Sequence, residues 1–329
     1  TILSLTSVIE SNLEEIKNNI TNTDESLKDT SNNLSSLLNS ISDNLNSYKI
    51  VSTKSTVPVG TGKWIESIIF SQNPQTKFDY VSNPEFLREG SSVKDFMHPD
   101  RIIMGTRSKK SSEIMKEVYR PLFINEIPLL DVSVETAEMI KYAANAFLSL
   151  KISYINEIAN LCETVSADVH EVAKAMGLDG RISPKFLHPG PGFGGSCFPK
   201  DTQALAAMGR THKNPISTIE AAIVSNNNQK FRMVKKLKML VDCEFNGLTI
   251  SILGLSFKPE TDDVRDSLAI KLVKLLNKMK IKTLQSDEFY KSKENVDKRD
   301  LIKKSDIIIL STPHKAYKKL KSGKNKVLI

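Results

Sequence analysis

Cys197 lies in the run Gly194-Gly195-Ser196-Cys197-Phe198-Pro199-Lys200-Asp201, a thiol with an ammonium three residues on and a carboxylate beside it. Glycines let a backbone approach a ligand closely and aim amides at an anion, so this loop suits a thiolate nucleophile serving an anionic substrate. A lone cysteine is more often a buried inert thiol, and it is the surrounding loop that favours chemistry here. Lys141 and Asn145 are four apart in a helical stretch, so an ammonium and an amide share one face and can together hold a developing oxyanion. A solvated face is the usual fate of such a lysine. Asn83-Pro84-Glu85-Phe86-Leu87-Arg88-Glu89-Gly90 and Ser55-Thr56-Val57-Pro58-Val59-Gly60 each follow a strand-like run, and the carboxyl ends of strands are where open α/β sheets bind ligands. Gly190, Gly192 and Gly195 have the spacing of the dinucleotide fingerprint. They follow a loop and precede no strand-to-helix turn, so that match is discounted.

The elements that must position these groups follow from the pattern. The chain has 329 residues, 40% of them hydrophobic and 26% charged, which excludes collagen-like and Pro/Gly-disordered classes. No apolar run reaches the roughly 20 residues of a membrane span. Three cysteines, Cys162, Cys197 and Cys243, are too few for a disulfide framework or zinc cage and imply a reducing, cytoplasmic setting. No metal site is expected. The net charge of +8 is dispersed and suits an anionic small molecule, without the basic-aromatic motifs of a nucleic-acid binder. Residues 1–48 are rich in Ser and Asn and lack Gly and Pro. Their stripes, Leu13, Ile16 and Ile20, then Leu27, Leu34 and Ile41 with Leu37 and Leu45, predict either a short coiled coil or surface helices of an α/β domain.

Strands are expected at residues 49–56, 78–85, 101–106 and 127–132, with helices at 61–70 and 112–122. One long helix is expected over 134–164, a second over 168–176 stopped by Gly177, a loop over 183–199, and helix over 204–240 broken near Pro215. Strands at 248–255, 281–285, 306–312 and 326–329 flank an amphipathic helix at 266–279. The expected fold is α/β: two Rossmann-like parallel-sheet domains joined by a long central helix and a helical middle domain. The domains are placed at 1–133, 134–240 and 241–329.

The segments KSTVPVGTG, NPEFLREGS, AEMIKYAANAFLSLKISYINEIANLCE, GLDGRISPKFLHPGPGFGGSCFPKD and ILGLSFKPETDDVRDS occur in this order. Together they resemble the UDP-glucose/GDP-mannose dehydrogenase family over roughly residues 33–329. The resemblance implies NAD-dependent oxidation of a nucleotide-sugar C6 alcohol to the acid in two hydride transfers, with UDP-glucose as substrate. The alternatives are a sister enzyme acting on GDP-mannose or a UDP-N-acetylhexosamine, and a non-catalytic relic that dimerises and binds nucleotide sugar. By motif, Cys197 resembles the nucleophile of a thiohemiacetal and thioester. Lys141, Asn145 and Asp201 resemble the groups around the C6 oxygen and its water, Glu85 the acid/base of thioester hydrolysis, and Thr56 a contact to that water. The family contacts NAD at the positions of Ser55, Thr56, Val57, Glu89, Lys200 and Arg265. It binds the sugar nucleotide at those of Glu85, Phe86, Leu87, Arg88, Glu89, Lys141, Asn145, Arg181, Phe186, Leu187, His188, Pro189, Gly190, Gly194 and Lys258. It also implies a homodimer built on the long helix, with Arg181 reaching the neighbouring subunit's substrate.

The family's opening strand, glycine turn and ribose-binding acid have no counterpart in this sequence, and ITNTDESLKDTS stands where a further strand and loop belong. The chain opens at Thr1 and ends at Ile329, short of a later family segment. It is therefore expected to be incomplete at both ends, with weak UDP-sugar binding, little NAD binding and no measurable turnover from residues 1–329 alone.

Overall fold

The computed structural model describes residues 34–125, 127–241, 247–317, 320 and 326–328. The chain divides into two compact units. One comprises the residues up to Glu85 with Asp100–Glu138, the other Phe86–Pro99 with Met139–Ile329. The sequence stripes before residue 34 fall outside the described residues, as does Cys243.

In the first unit, α1 (residues 34–43) precedes β1 (Lys49–Thr53), α2 (Thr61–Gln72), β2 (Phe78–Ser82), then β3 (Ile102–Gly105), α4 (Lys109–Tyr119) and β4 (Leu129–Val132). The expected stripe on α1 is shifted. Leu38 and Leu45 are buried with Leu34 and Ile41 against the same core, and Leu37 faces outward at 56% exposure. The helix is thus a surface helix of the α/β unit, turning Leu34, Leu38 and Ile41 inward at spacings of four and three, with Leu45 just beyond its end. Alternation along β2 feeds two cores, Phe78 and Tyr80 packing with Ile65, Ile69 and Val134, and Val81 packing with Met104, Met115 and Tyr119. The sheet order is β1-β2-β3-β4. β1 and β2 are parallel, as are β3 and β4, but β2 meets β3 antiparallel at the single pair Ser82–Gly105. The chain leaves the sheet at Asn83 and returns at the same end running in the opposite direction, through a segment that holds a short helix, α3 (Ser92–Met97). Sequence pattern alone does not predict that helix or the reversal.

The second unit is built on α5 (Val134–Val165), which begins in the first unit and at 1.5 Å per residue runs about 48 Å. It continues with α6 (Val169–Leu178), α7 (Phe198–Thr211) and α8 (Ser217–Val241). Gly177 does not stop α6, since it lies inside the helix, where a Cβ would sit 2.8 Å from Pro184. It is there for close packing. Pro199 likewise belongs to the first turn of α7, not to the preceding loop, at a position where a missing N–H costs nothing. A second sheet follows from β5 (Thr249–Leu253), α9 (Leu268–Lys278), β6 (Lys282–Ser286), α10 (Lys298–Lys304), β7 (Ile307–Leu310) and β8 (Lys326–Leu328). Its order is β6-β5-β7-β8 and every pair is parallel. β5 is buried at all five residues, as expected for a strand covered on both faces. The chain moves to one side of β5 and then to the other, which makes the β5/β7 boundary a topological switch point.

Candidate functional site

One face of α5 carries a buried polar stripe, Lys141, Asn145, Ser149, Ser153 and Asn156, none more than 7% exposed. Buried polar groups need partners, and the structure supplies them. Lys141 Nζ lies 4.9 Å from the centre of the Phe86 ring. Asn145 Nδ2 donates to Asp201 Oδ2 at 2.6 Å, and Ser149 Oγ to the Asn145 carbonyl at 2.9 Å. Ser153 Oγ donates to the Ala222 carbonyl on α8 at 3.0 Å, and Asn156 Oδ1 accepts the Gly190 amide at 2.8 Å.

Cys197 is the N-cap residue of α7 and is exposed. Its Sγ is 3.6 Å from Ser196 Oγ, and its carbonyl accepts the Asp201 amide at 2.9 Å. Asp201 is fully buried one turn along. Lys200 Nζ donates to its Oδ1 at 2.5 Å, while its Oδ2 takes the Asn145 amide. A carboxylate in the first turn also complements the helix dipole. Hydrogen bonds thus join Asn145 to Asp201 and Lys200, which lie within one turn of Cys197 along α7, and Lys141 is one turn from Asn145 on the same face of α5.

The glycine loop is shaped by packing as much as by any ligand. Gly195 (φ +80°) donates to the Arg265 carbonyl at 2.9 Å, and a Cβ there would lie 2.8 Å from the Phe257 ring. A Cβ on Gly194 would lie 2.7 Å from the Asp266 carbonyl oxygen. The amides of Gly190, Phe193 and Gly195 are occupied by Asn156, Asn226 and the Arg265 carbonyl, so the loop is not the open run of donors that its composition suggests. Sequence reading missed Asn156, Asn226 and Gln229, which anchor it to α5 and α8. Following the same helix face three turns beyond Asn145, eleven residues on, would have reached Asn156.

Facing this loop within the same unit, Arg265 forks onto buried Asp263 at 2.8 and 3.0 Å. That hydrogen bonding holds the Asp263 carboxyl below its usual range and raises the guanidinium. Lys258 Nζ donates to the Glu89 carbonyl at 2.6 Å, and Thr261 Oγ1 to Glu89 Oε1 at 3.2 Å. Phe186 sits at φ 66°, strained for a non-glycine, with its ring edge-on to Phe198 at 5.9 Å. Leu187 is buried against Ile155 and Ala173, a core position. His188 is exposed and Pro189 half-buried, while Phe86 and Leu87 are half-buried. Arg88 pairs with Asp95 at 2.6 Å, and Arg181 with Asp179 at 2.6 Å. At the switch point a shallow, solvent-open cleft is lined by Gly192, Gly194, Ser256, Phe257, Ser311 and Thr312 among others.

The remaining site residues lie in the first unit. Glu85 is half-buried beyond β2. Ser55 is exposed and Thr56 and Val57 half-buried beyond the carboxyl end of β1. The carboxyl ends of strands are where open α/β sheets take ligands. The N-terminus of α2 does not offer such a place, because the buried Glu138 carboxylate already accepts the Gly60 and Gly62 amides at 2.7 and 2.8 Å. No group of three or more metal-ligating side chains occurs among the described residues. No helix among them is long and apolar enough to cross a membrane.

Three models of the UDP-glucose/GDP-mannose dehydrogenase family match the chain: the NAD binding domain over residues 19–123, the central domain over 135–228 and the UDP binding domain over 251–329. A UDP-glucose 6-dehydrogenase of Rhizobium meliloti is 52% identical over 231 residues, covering 70% of this chain and 53% of that protein. A UDP-glucose 6-dehydrogenase of Bacillus subtilis is 49% identical over 233 residues, covering 70% and 50%. The chain thus spans about half the length of these curated relatives. The solved structure of a UDP-glucose dehydrogenase from Pyrobaculum islandicum superposes with a TM-score of 0.84 at 31% identity, over 90% of this chain and 71% of that one.

Proposed function

The chain belongs to the UDP-glucose/GDP-mannose dehydrogenase family, and we propose that it serves the NAD-dependent oxidation of UDP-glucose to UDP-glucuronate. The observation that carries this reading is the exposed Cys197 at the head of α7, one turn before Asp201 of the Asn145–Asp201–Lys200 cluster. In this reading residues 1–133 serve NAD, 134–240 hold the reacting carbon and 241–329 bind the UDP group.

Bound NAD supplies the acceptor for each hydride, and Ser55, Thr56, Val57, Glu89, Lys200 and Arg265 are the residues we assign to holding it. Converting an alcohol to an acid in one site needs a covalent stop, so that the aldehyde does not escape. The Cys197 sulfur bonds to C6 of the aldehyde, giving a thiohemiacetal whose oxygen is stabilised by Lys141 and Asn145. Departure of the C6 hydrogen as hydride, with loss of the hydroxyl proton, leaves a thioester. Water adds to it, the C6–sulfur bond breaks, and the thiol is regenerated. Glu85 takes the proton from that water, while Thr56 and Asp201, the latter oriented by Asn145, hold it in place. Arg181, Lys258, Gly190, Gly194 and Phe86 to Arg88, with Phe186 to Pro189, are assigned to the UDP-sugar. The cleft at the β5/β7 switch point is where the nucleotide end would enter.

A full-length protein containing this chain, given NAD, should reduce two equivalents per molecule of UDP-glucose and form the uronate, with GDP-mannose and UDP-N-acetylmannosamine far poorer. One equivalent per sugar, with free aldehyde, would rule the covalent route out. Equal rates on all three sugars would remove the substrate assignment.

We further propose a homodimer working in the cytoplasm, where Cys197 stays reduced. Phe147, Tyr154 and Leu161 follow one another at seven-residue intervals on α5, at 59%, 46% and 58% exposure, and Val224 and Phe231 do the same on α8. Such stripes pair helices. Tyr154→Asp should halve the mass seen by sedimentation equilibrium. An unchanged mass for this variant and for Phe147→Asp would exclude these faces.

A further inference from the structure

His314 is fully buried at the end of the segment that follows β7, and no step of the reaction uses it. Its Nδ1 accepts the Glu260 amide at 3.0 Å. A ring nitrogen that accepts from a backbone N–H carries no proton, so the proton is on Nε2. The Nε2–H is shared between Ser256 Oγ at 3.1 Å and Asp287 Oδ2 at 3.2 Å. Asp287 is itself fixed. Burial raises its carboxyl, but the amides of Tyr290, Leu255, Ser256 and Phe289 outweigh that and hold it below the usual range.

These bonds grip one short segment at both ends. Ser256 is held by His314, by Asp287 and by Thr312 Oγ1, which donates to its carbonyl at 2.6 Å. Glu260 stands at φ 63°, a strained conformation for a residue with a side chain. It is kept there by its amide bond to His314 and by its carboxylate, which accepts the Lys315 amide at 2.8 Å. Between the two grips lie Phe257, a wall of the switch-point cleft and the contact of Gly195, and Lys258.

We propose that His314 is a positioning residue for nucleoside-diphosphate binding: its Nδ1 acceptor holds the strained 256–260 segment in the shape that presents Phe257 and Lys258 to the diphosphate end of the ligand. The proposal rests on the reading of the switch-point cleft as the sugar-nucleotide site.

The test uses calorimetric UDP binding and hydrogen exchange at the Glu260 amide. Asparagine places an oxygen near the position of Nδ1, whereas glutamine places its amide near Nε2 and leaves Glu260 without an acceptor. His314→Ala and His314→Gln should lose Glu260 protection and bind UDP about tenfold more weakly. His314→Asn should recover most of both. In a Lys258→Ala background, His314→Ala should add little further loss, because the lysine it positions is gone. Should His314→Ala fail to fold, the asparagine and glutamine variants carry the comparison, and equal behaviour of those two would overturn the proposal. Unchanged UDP affinity in His314→Ala, or the same loss with and without Lys258, would overturn the positioning role alone. Wild-type protein that binds no UDP would overturn the reading of the cleft, and the proposal with it.

Discussion

Cys197→Ser is expected to cut uronate formation by at least about three orders of magnitude, leaving product at or before the aldehyde. The serine oxygen is a poorer nucleophile toward the aldehyde, and the ester it would form is harder to hydrolyse than a thioester. The neighbouring groups stay in place, because the Asp201 bonds to Asn145 and Lys200 do not involve the sulfur. The same exposure makes Cys197 the faster of two described thiols toward iodoacetamide, since Cys162 is 6% exposed within α5. UDP-glucose should slow that labelling. Normal uronate output from the serine variant, or equal labelling of the two thiols in folded protein, would end the nucleophile assignment.

Glu138→Ala should destabilise the first unit by about 3 kcal/mol, a large fraction of a domain's net stability. α2 begins at Gly60, which has no side chain to cap it, and Glu138 performs that task from 78 residues away. Truncation would leave the Gly60 and Gly62 amides without an acceptor in a buried place. The pH dependence has a definite sign. Burial pushes the Glu138 carboxyl above its ordinary value of 4.5, although the two amides pull it back in part. A raised folded-state pKa gives stability that is full below the ordinary value and is lost as pH rises through the raised one. The advantage of the wild type over Glu138→Gln should therefore shrink as pH climbs above 4.5. Thermal melts of both proteins across that range would show it, and a gap that widens with pH would contradict the assigned environment.

The strands and the long helix were legible because hydrophobic period and Gly/Pro punctuation are local signals. β5 and α5 appear within a residue or two of where pattern places them. Lys141 and Asn145 could be paired from spacing alone, since four residues is a helix turn. What stayed hidden depends on contacts between distant segments. Nothing near Glu138 in sequence says that it caps a helix at Gly60. Nothing near Gly194 says that its missing side chain makes room for the Asp266 carbonyl. Gly177 was misread for the same reason: a glycine that stops a helix and one that lets Pro184 approach look alike in one dimension. Asp263 and His314 were passed over because their importance lies in which backbone and guanidinium groups they meet, which folding alone decides.

The polar stripe on α5 works as a ruler. Asn145 sets the carboxylate one turn from the thiol, and Asn156, eleven residues on, fixes the loop that delivers the thiol. One rigid helix therefore measures the distance between the reacting group's support and its tether. Substitution along the outward face leaves that measure intact, but one residue inserted between 145 and 156 would turn Asn156 by about 100° and shift it by about 1.5 Å. The loop anchor and the Asn145 amide would then face different sides of the helix. The segment between them can drift in composition far more readily than in length.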